Sequence, residues 1–143
     1  LIDRWQATSG GLDLLSLDID GNDYHVLESI KILNPRLIIL EYNSKYRPPV
    51  KWVMKYNPNH SYVFSDYYGA SLKSLEVLLL AKGYKLVGCN LSGVNAFFVR
   101  EDLIEKHFLD DCSAENHYEP ERIILSYGLT AHHAPDFGPF EIK

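Results

Sequence analysis

The chain has little cysteine, no apolar run long enough for a bilayer and no surplus of positive charge, and each shortage removes a class of function. Its two cysteines, Cys89 and Cys112, stand far apart and match neither a disulfide framework nor a metal-knuckle spacing. A reducing, cytoplasmic compartment is therefore the expectation. The apolar run "LEVLLLA" at residues 75–81 falls far short of the roughly 20 residues a crossing needs, and no basic-then-apolar signal segment opens the chain. No membrane partner is expected. Lys and Arg number 14 against 19 Asp and Glu, a net charge of -5, whereas modules that follow phosphates carry a basic face. Nucleic acid is not an expected partner either. A glycine-rich phosphate loop is also missing, because the glycines of "GGLDLL" precede the strand instead of following it. There is no Gly-x-Ser-x-Gly elbow and neither cysteine sits at a strand-to-helix turn, which leaves a hydrolase-type nucleophile without support.

What is present is one ordinary core: 143 residues, 46% hydrophobic and 13% aromatic. Residues 12–19 carry leucines and Ile19 on both faces, the pattern of a central parallel strand covered by helices on each side, with Ile19 pointing into packing. Gly21 permits a sharp turn and Asp20 or Asn22 can cap. Val26, Leu27, Ile30 and Leu33 then recur at helical spacing, with Glu28 and Lys31 outside. "RLIILEYN", residues 36–43, repeats the strand after the break at Asn34-Pro35, so a parallel sheet of the α/β class is expected. Residues 44–69, rich in tyrosine and holding Pro48 and Pro49, read as an excursion from the core. "ASLKSLEVLLLAKG" reads as a helix capped by Ser71 and stopped by Gly83. "YKLVGCN" and "VNAFFVR", joined by "LSG", predict an antiparallel hairpin at the sheet edge, with Phe97 and Val99 on one face and Phe98 on the other. Residues 101–109 predict a short helix, and residues 110–143 an extension with little regular structure. The opening "LIDRW" reads as the last turns of an amphipathic helix ended by Ser9, Gly10 and Gly11, which suggests a fragment.

The chemistry concentrates where the strands end. Asp18 and Asp20 close the first strand and Glu41 and Asn43 the second, and ligands of open α/β sheets sit outside the carboxyl ends of parallel strands. Side chains alternate along a strand, so Asp18 and Asp20 share one direction and Glu41 and Asn43 another. Neighbouring strands would bring Asp18, Glu41 and Asn43 to one point, a set of oxygens that suits Mg²⁺ or Mn²⁺. Each acid also has an ordinary structural role open to it: Asp20 as a cap, Asp23 as a partner of the helix dipole, Asp18 and Glu41 as partners of Arg36, Lys45 or Arg47. His25 and the pair His132-His133 fit surface or partly buried roles better than catalysis.

"LLSLDIDGNDYHVL", "LIILEYN", "YYGASLKSL" and "KGYKLVGCNLSGVNAFFVR" together resemble the C-terminal half of an FkbM-type methyltransferase, an S-adenosylmethionine-dependent enzyme of the class I, Rossmann-like fold. The likeness covers residues 1–109. That family's fourth strand ends in D-x-E-G-x-E, onto which Asp18, Asp20, Gly21 and Asp23 fall with aspartates in place of glutamates. Class I enzymes finish their sheet with a hairpin, as "YKLVGCN" and "NAFFVR" do. Catechol O-methyltransferase holds its metal through an aspartate after strand four and an Asp-Asn pair after strand five. Asp18, Glu41 and Asn43 stand at the corresponding positions, with Tyr42 interrupting the pair.

The resemblance implies methyl transfer from S-adenosylmethionine to an oxygen of a small-molecule or sugar-like acceptor, with Asp18 and Asp20 catalytic. It implies a lid over residues 44–69 whose Tyr67 and Tyr68 meet the substrate. The family's cofactor site uses a glycine-rich turn after strand one and an acid after strand two, neither of which this chain supplies, so the chain alone is expected to be inactive. The aromatic residues leave two further roles open. The tyrosines can pack a satellite core or a homodimer interface, and the whole can be a non-enzymatic α/β module that offers its aromatic loop to a partner protein.

Overall fold

The computed structural model describes residues 11–31, 34–122, 136 and 138–143. The expected helix over "LIDRW", Leu33 and the His132-His133 pair lie outside the described residues. Strands β1 (Leu14–Leu17), β2 (Leu37–Glu41), β4 (Tyr84–Cys89) and β5 (Asn95–Arg100) form one sheet in the order β1-β2-β5-β4. Helix α1 (Asp23–Ser29) follows β1, and helix α2 (Leu72–Ala81) precedes β4. A one-turn helix α3 (Ala114–His117) follows, and β3 (Val53–Met54) pairs with β6 (Phe140–Glu141) as a separate ribbon. Among the described residues no helix is long and apolar enough to cross a membrane.

Register explains which face is buried. Leu15 aligns with Ile38, Phe98 and Leu86, and Leu17 with Leu40 and Ala96. These rows point at α1 and α2, where Leu27, Leu72, Leu75 and Leu79 complete the core. Leu40, Phe98 and Leu79 lose all exposure, each worth about 1.5–3 kcal/mol of burial. The alternate rows, Leu14-Leu37-Val99 and Ser16-Ile39-Phe97, lie on the opposite face and remain partly exposed.

The class α/β holds, and so do the hairpin and the capped helix. β4 and β5 pair antiparallel with a register shift between Leu86 and Gly88, and Phe98 is buried while Phe97 and Val99 are not. Ser71 caps α2 by accepting from the Ser74 N–H, and Gly83 takes φ 83, the left-handed conformation that ends a helix.

The sheet is mixed, parallel strands ending in an antiparallel hairpin: β1 and β2 are its parallel pair, and β5 runs antiparallel between β2 and β4. Other expectations need correction. Among the described strands β1 stands at the edge rather than the centre, and Ile19, past its end, is 48% exposed instead of packed. An apolar residue on each face of a strand signals cover on both faces only when that cover is supplied. The first helix stops at Ser29, because Ile30 turns to an extended conformation. Residues 44–69 do leave the main sheet, but not the core altogether: Val53 joins it, Trp52 and Met54 are also buried, and Asn43 N–H donates to the Ala70 carbonyl where the segment closes. Helix in 101–109 is limited to a 3₁₀ turn at Glu101–Leu103.

Candidate metal centre

The pairing of Leu17 with Leu40 carries one step further to set Asp18 beside Glu41, on the face shared by Ser16 and Ile39. The chain then reverses within three residues. Asp20 takes φ 55, a left-handed conformation that Asp tolerates better than most residues. Asp23, only 2% exposed, holds the turn by accepting from Ile19 N–H and Gly21 N–H, both at 2.9 Å. The His60 ring Nε2 donates to the Asp20 carbonyl at 2.9 Å, and Gly69 N–H donates to the Gly21 carbonyl. A Cβ at Gly21 would stand 2.2 Å from His60 Cδ2, so any other residue here displaces the His60 ring from the turn. Asn22, expected as a cap, makes no capping bond; its side chain exchanges two hydrogen bonds with the backbone of Asn57.

This folded turn brings one carboxylate oxygen from each of Asp18, Asp20 and Glu41 within 4.8 Å of one another. Charges so close disfavour joint ionisation. Burial, and then the charges of Asp18, Asp20, Asp23 and Glu121, push the Glu41 carboxyl from 4.5 up to about 8. Asp18 is also raised, by burial first and then by Asp20 and Asp23. The cations named as partners are engaged elsewhere. Arg36 faces Asp13 at 3.5 Å, Lys45 faces Glu121 and Asp66, and Arg47 lies over the Tyr118 ring. Among the described residues no lysine or arginine forms an ion pair with Asp18, Asp20 or Glu41. Two species can relieve such a cluster, a proton or a divalent cation with a preference for hard oxygen ligands.

The residues expected to join these acids divide into two groups. Asp18, Asp20 and Glu41 come together. Asn43 does not offer its amide oxygen: that atom accepts from Lys45 N–H, while the amide nitrogen donates to the carbonyls of Asp66 and Tyr68. Its fully buried side chain fastens the aromatic loop instead. Tyr68 is buried, and its phenol is held well above the usual range by burial and then by the Glu41 charge. Tyr67 turns away, donating its hydroxyl to the Pro139 carbonyl at 2.6 Å.

Three neighbours of the centre are not evident from the sequence. Tyr62 has its phenol pushed up by burial and then by Asp20 and Glu41, and its ring lies 6.2 Å from that of Tyr68. Asp23 reads as a partner of the helix dipole, although an acid two residues past a turn glycine is also a signal for bonds back to the turn. Glu121, which acts on Glu41, comes from the segment expected to carry little structure, and nothing in its sequence context announces it. A scan against models of known protein families, a search of curated proteins and a search of solved structures each return no match for this chain.

Proposed function

We propose that Asp18, Asp20 and Glu41 hold a divalent cation, Mg²⁺ or Mn²⁺, and that this centre serves S-adenosylmethionine-dependent methyl transfer to an oxygen of a small-molecule acceptor. The observation that carries the cation is the convergence of three carboxylate oxygens within 4.8 Å. Their chemistry fits it: all are hard oxygen donors, and Glu41 holds its proton tightly through burial first and then through the charges of its acidic neighbours. The methyl-transfer part rests on the FkbM-type resemblance of the turn and on the terminal hairpin β4-β5.

The ion, when bound, would draw charge from an acceptor hydroxyl and so ease its ionisation. The chain's own groups do the rest. Asp18, the more exposed neighbour of Glu41, takes the hydroxyl proton on its carboxylate. The protonated phenols of Tyr62 and Tyr68 border the acids and orient the acceptor. Asp20 keeps its place because Asp23 and His60 fix the turn on either side of it. The methyl donor needs residues beyond these, since the described residues contain no glycine-rich strand-to-helix turn.

The test is transfer of a labelled methyl group from S-adenosylmethionine by the protein as made in its own cells, with Mg²⁺ present. Asp18→Asn should abolish transfer while the circular dichroism spectrum stays near native; full activity with an undiminished metal response rejects the reading. The 143-residue chain alone should bind the donor weakly or not at all, and micromolar binding by calorimetry would contradict that. A second reading, a non-enzymatic module, draws on Val63 and Phe64, which are 68% and 77% exposed on the aromatic loop. In that case substitution of the acids changes stability and leaves partner binding intact.

A further inference from the structure

At the amino ends of β1 and β2, the opposite end of those strands from the acids, a cavity of about 400 Å³ opens between the C-terminal ends of α1 and α2. Small-molecule sites begin at about 300 Å³, and their usual form is an apolar cleft with a few placed polar groups. Leu15, Leu27, Ile38 and Ala81 supply the apolar wall, and Lys31 and Lys82 stand in the lining with them. The Tyr84 hydroxyl, also in the lining, is already satisfied by the Pro35 carbonyl at 2.7 Å. The two ammonium groups are the charges left to fix a ligand.

Both ammonium groups lean on one oxygen. Lys31 Nζ donates to the Glu28 carbonyl at 3.0 Å and Lys82 Nζ to the same atom at 3.3 Å, with a second bond from Lys82 to the Ile30 carbonyl at 2.7 Å. A cation at a helix C-terminus is an ordinary cap, and one lysine would serve. Two bring like charges together, and burial first and then the Lys31 charge hold the Lys82 ammonium below its usual pKa. Among the described residues no carboxylate forms an ion pair with either lysine. The carboxylate of Glu28, which acts on Lys82, faces Lys143 at 3.5 Å. The two helix ends together offset about one unit of charge, against two on the lysines, so the cavity rim stays positive. An ammonium has three donors, of which Lys31 uses one and Lys82 two, so both can still bind an anion.

We propose that this cavity binds a small amphipathic carboxylate, its apolar body against Leu15, Leu27 and Ile38 and its carboxylate shared by the Lys31 and Lys82 ammonium groups. A carboxylate fits because it accepts on two oxygens and relieves both cations at once. A fully hydrated anion such as inorganic phosphate would leave the apolar wall wet, and a neutral alcohol would leave the charges unrelieved. The cavity shares no residue with the acid cluster, so its ligand is independent of any cation held there.

The experiment is a calorimetric titration of the chain with octanoate, run beside octanol and inorganic phosphate. Octanoate should bind one per chain, octanol about tenfold more weakly or worse, and phosphate not at all over the same range. The amide resonances of Leu15, Ile38 and Ala81 should shift with octanoate, which locates it. Lys82→Gln should weaken octanoate by about tenfold while leaving octanol and Mn²⁺ binding unchanged. Ala81→Trp, at an exposed rim position, should fill the cavity and abolish octanoate binding with the melting temperature near native, and it decides the matter should Lys82→Gln loosen the end of α1. No binding at millimolar octanoate overturns the proposal. So does octanol binding as tightly as octanoate, which would make the lysines caps alone, and so does phosphate binding as tightly, which would make them a bare anion site. Octanoate binding that neither variant moves is adsorption to exposed apolar surface and overturns it too.

Discussion

The hairpin β4-β5 and the parallel pair β1-β2 belong to one sheet, yet they are stabilised by different means. In the hairpin region, apolar side chains meet apolar partners: Phe98 and Leu86 are buried, and the Tyr84 hydroxyl is satisfied by the Pro35 carbonyl at 2.7 Å. In the parallel pair, Leu14 is 47% exposed and the strand ends converge on three carboxylates. The lesson is that the carboxylate cluster and the exposed apolar row gather at β1 and the turn after it, away from the best-buried rows of this sheet. Buried rows of the hairpin and of β2 hold the fold, whereas β1 and the turn after it carry the exposed apolar residues and the acids.

The largest test of this contrast is a pair of truncations. Phe98→Ala should cost about 3–5 kcal/mol in urea unfolding, because it empties a fully buried site. Leu14→Ala, on the open edge, should cost under about 1 kcal/mol. Similar losses at both positions would erase the distinction.

The pH dependence is next in size. Glu41 binds its proton more tightly folded than unfolded, about 8 against 4.5, so its contribution is fully present below the lower value and is lost as pH rises toward the upper one. Without divalent cations, stability should fall by on the order of 2–3 kcal/mol between those limits, and Glu41→Gln should remove the fall. Thermal melts across that range check it, and a flat profile for the natural sequence would count against a Glu41 carboxyl raised by burial and its acidic neighbours.

Smaller effects separate the parts of the turn. Asp23→Ala strips Ile19 and Gly21 of their buried acceptor and should cost about 1–3 kcal/mol. Ser71→Ala removes the α2 cap and the bond from Trp52 N–H, for about 1 kcal/mol. Asp23→Ala should also weaken cation binding, and Ser71→Ala should leave it unchanged. If both shift cation affinity alike, the effect is general loosening rather than control of Asp20.

These differences also bear on what could be read from the sequence. The capped helix Leu72–Ala81 and the hairpin are governed by local rules, a serine acceptor, a left-handed glycine and alternation through "NAFFVR", so the chain states them directly. The convergence of Asp18 with Glu41 was legible too, since it needed only two strands to be parallel neighbours in register. The role of Asn43 was not. Its amide is claimed by backbone groups of residues 45, 66 and 68, partners fixed by a loop whose path has no periodic signature. Nor was the exposure of Ile19, because a strand's pattern records the cover it is built for and cannot say whether that cover is present. The charge of Glu121 acts on Glu41 from a distant part of the chain, for which sequence spacing gives no sign.

The most direct test of the cation centre is a calorimetric titration of the chain with Mn²⁺ near pH 7, repeated in buffers of different ionisation enthalpy. The account predicts one ion bound per chain, with about one proton released as the ion displaces the proton held by Glu41. Glu41→Gln should bind more weakly and release none. No binding at millimolar Mn²⁺, or binding without proton release that Glu41→Gln leaves unchanged, would contradict it.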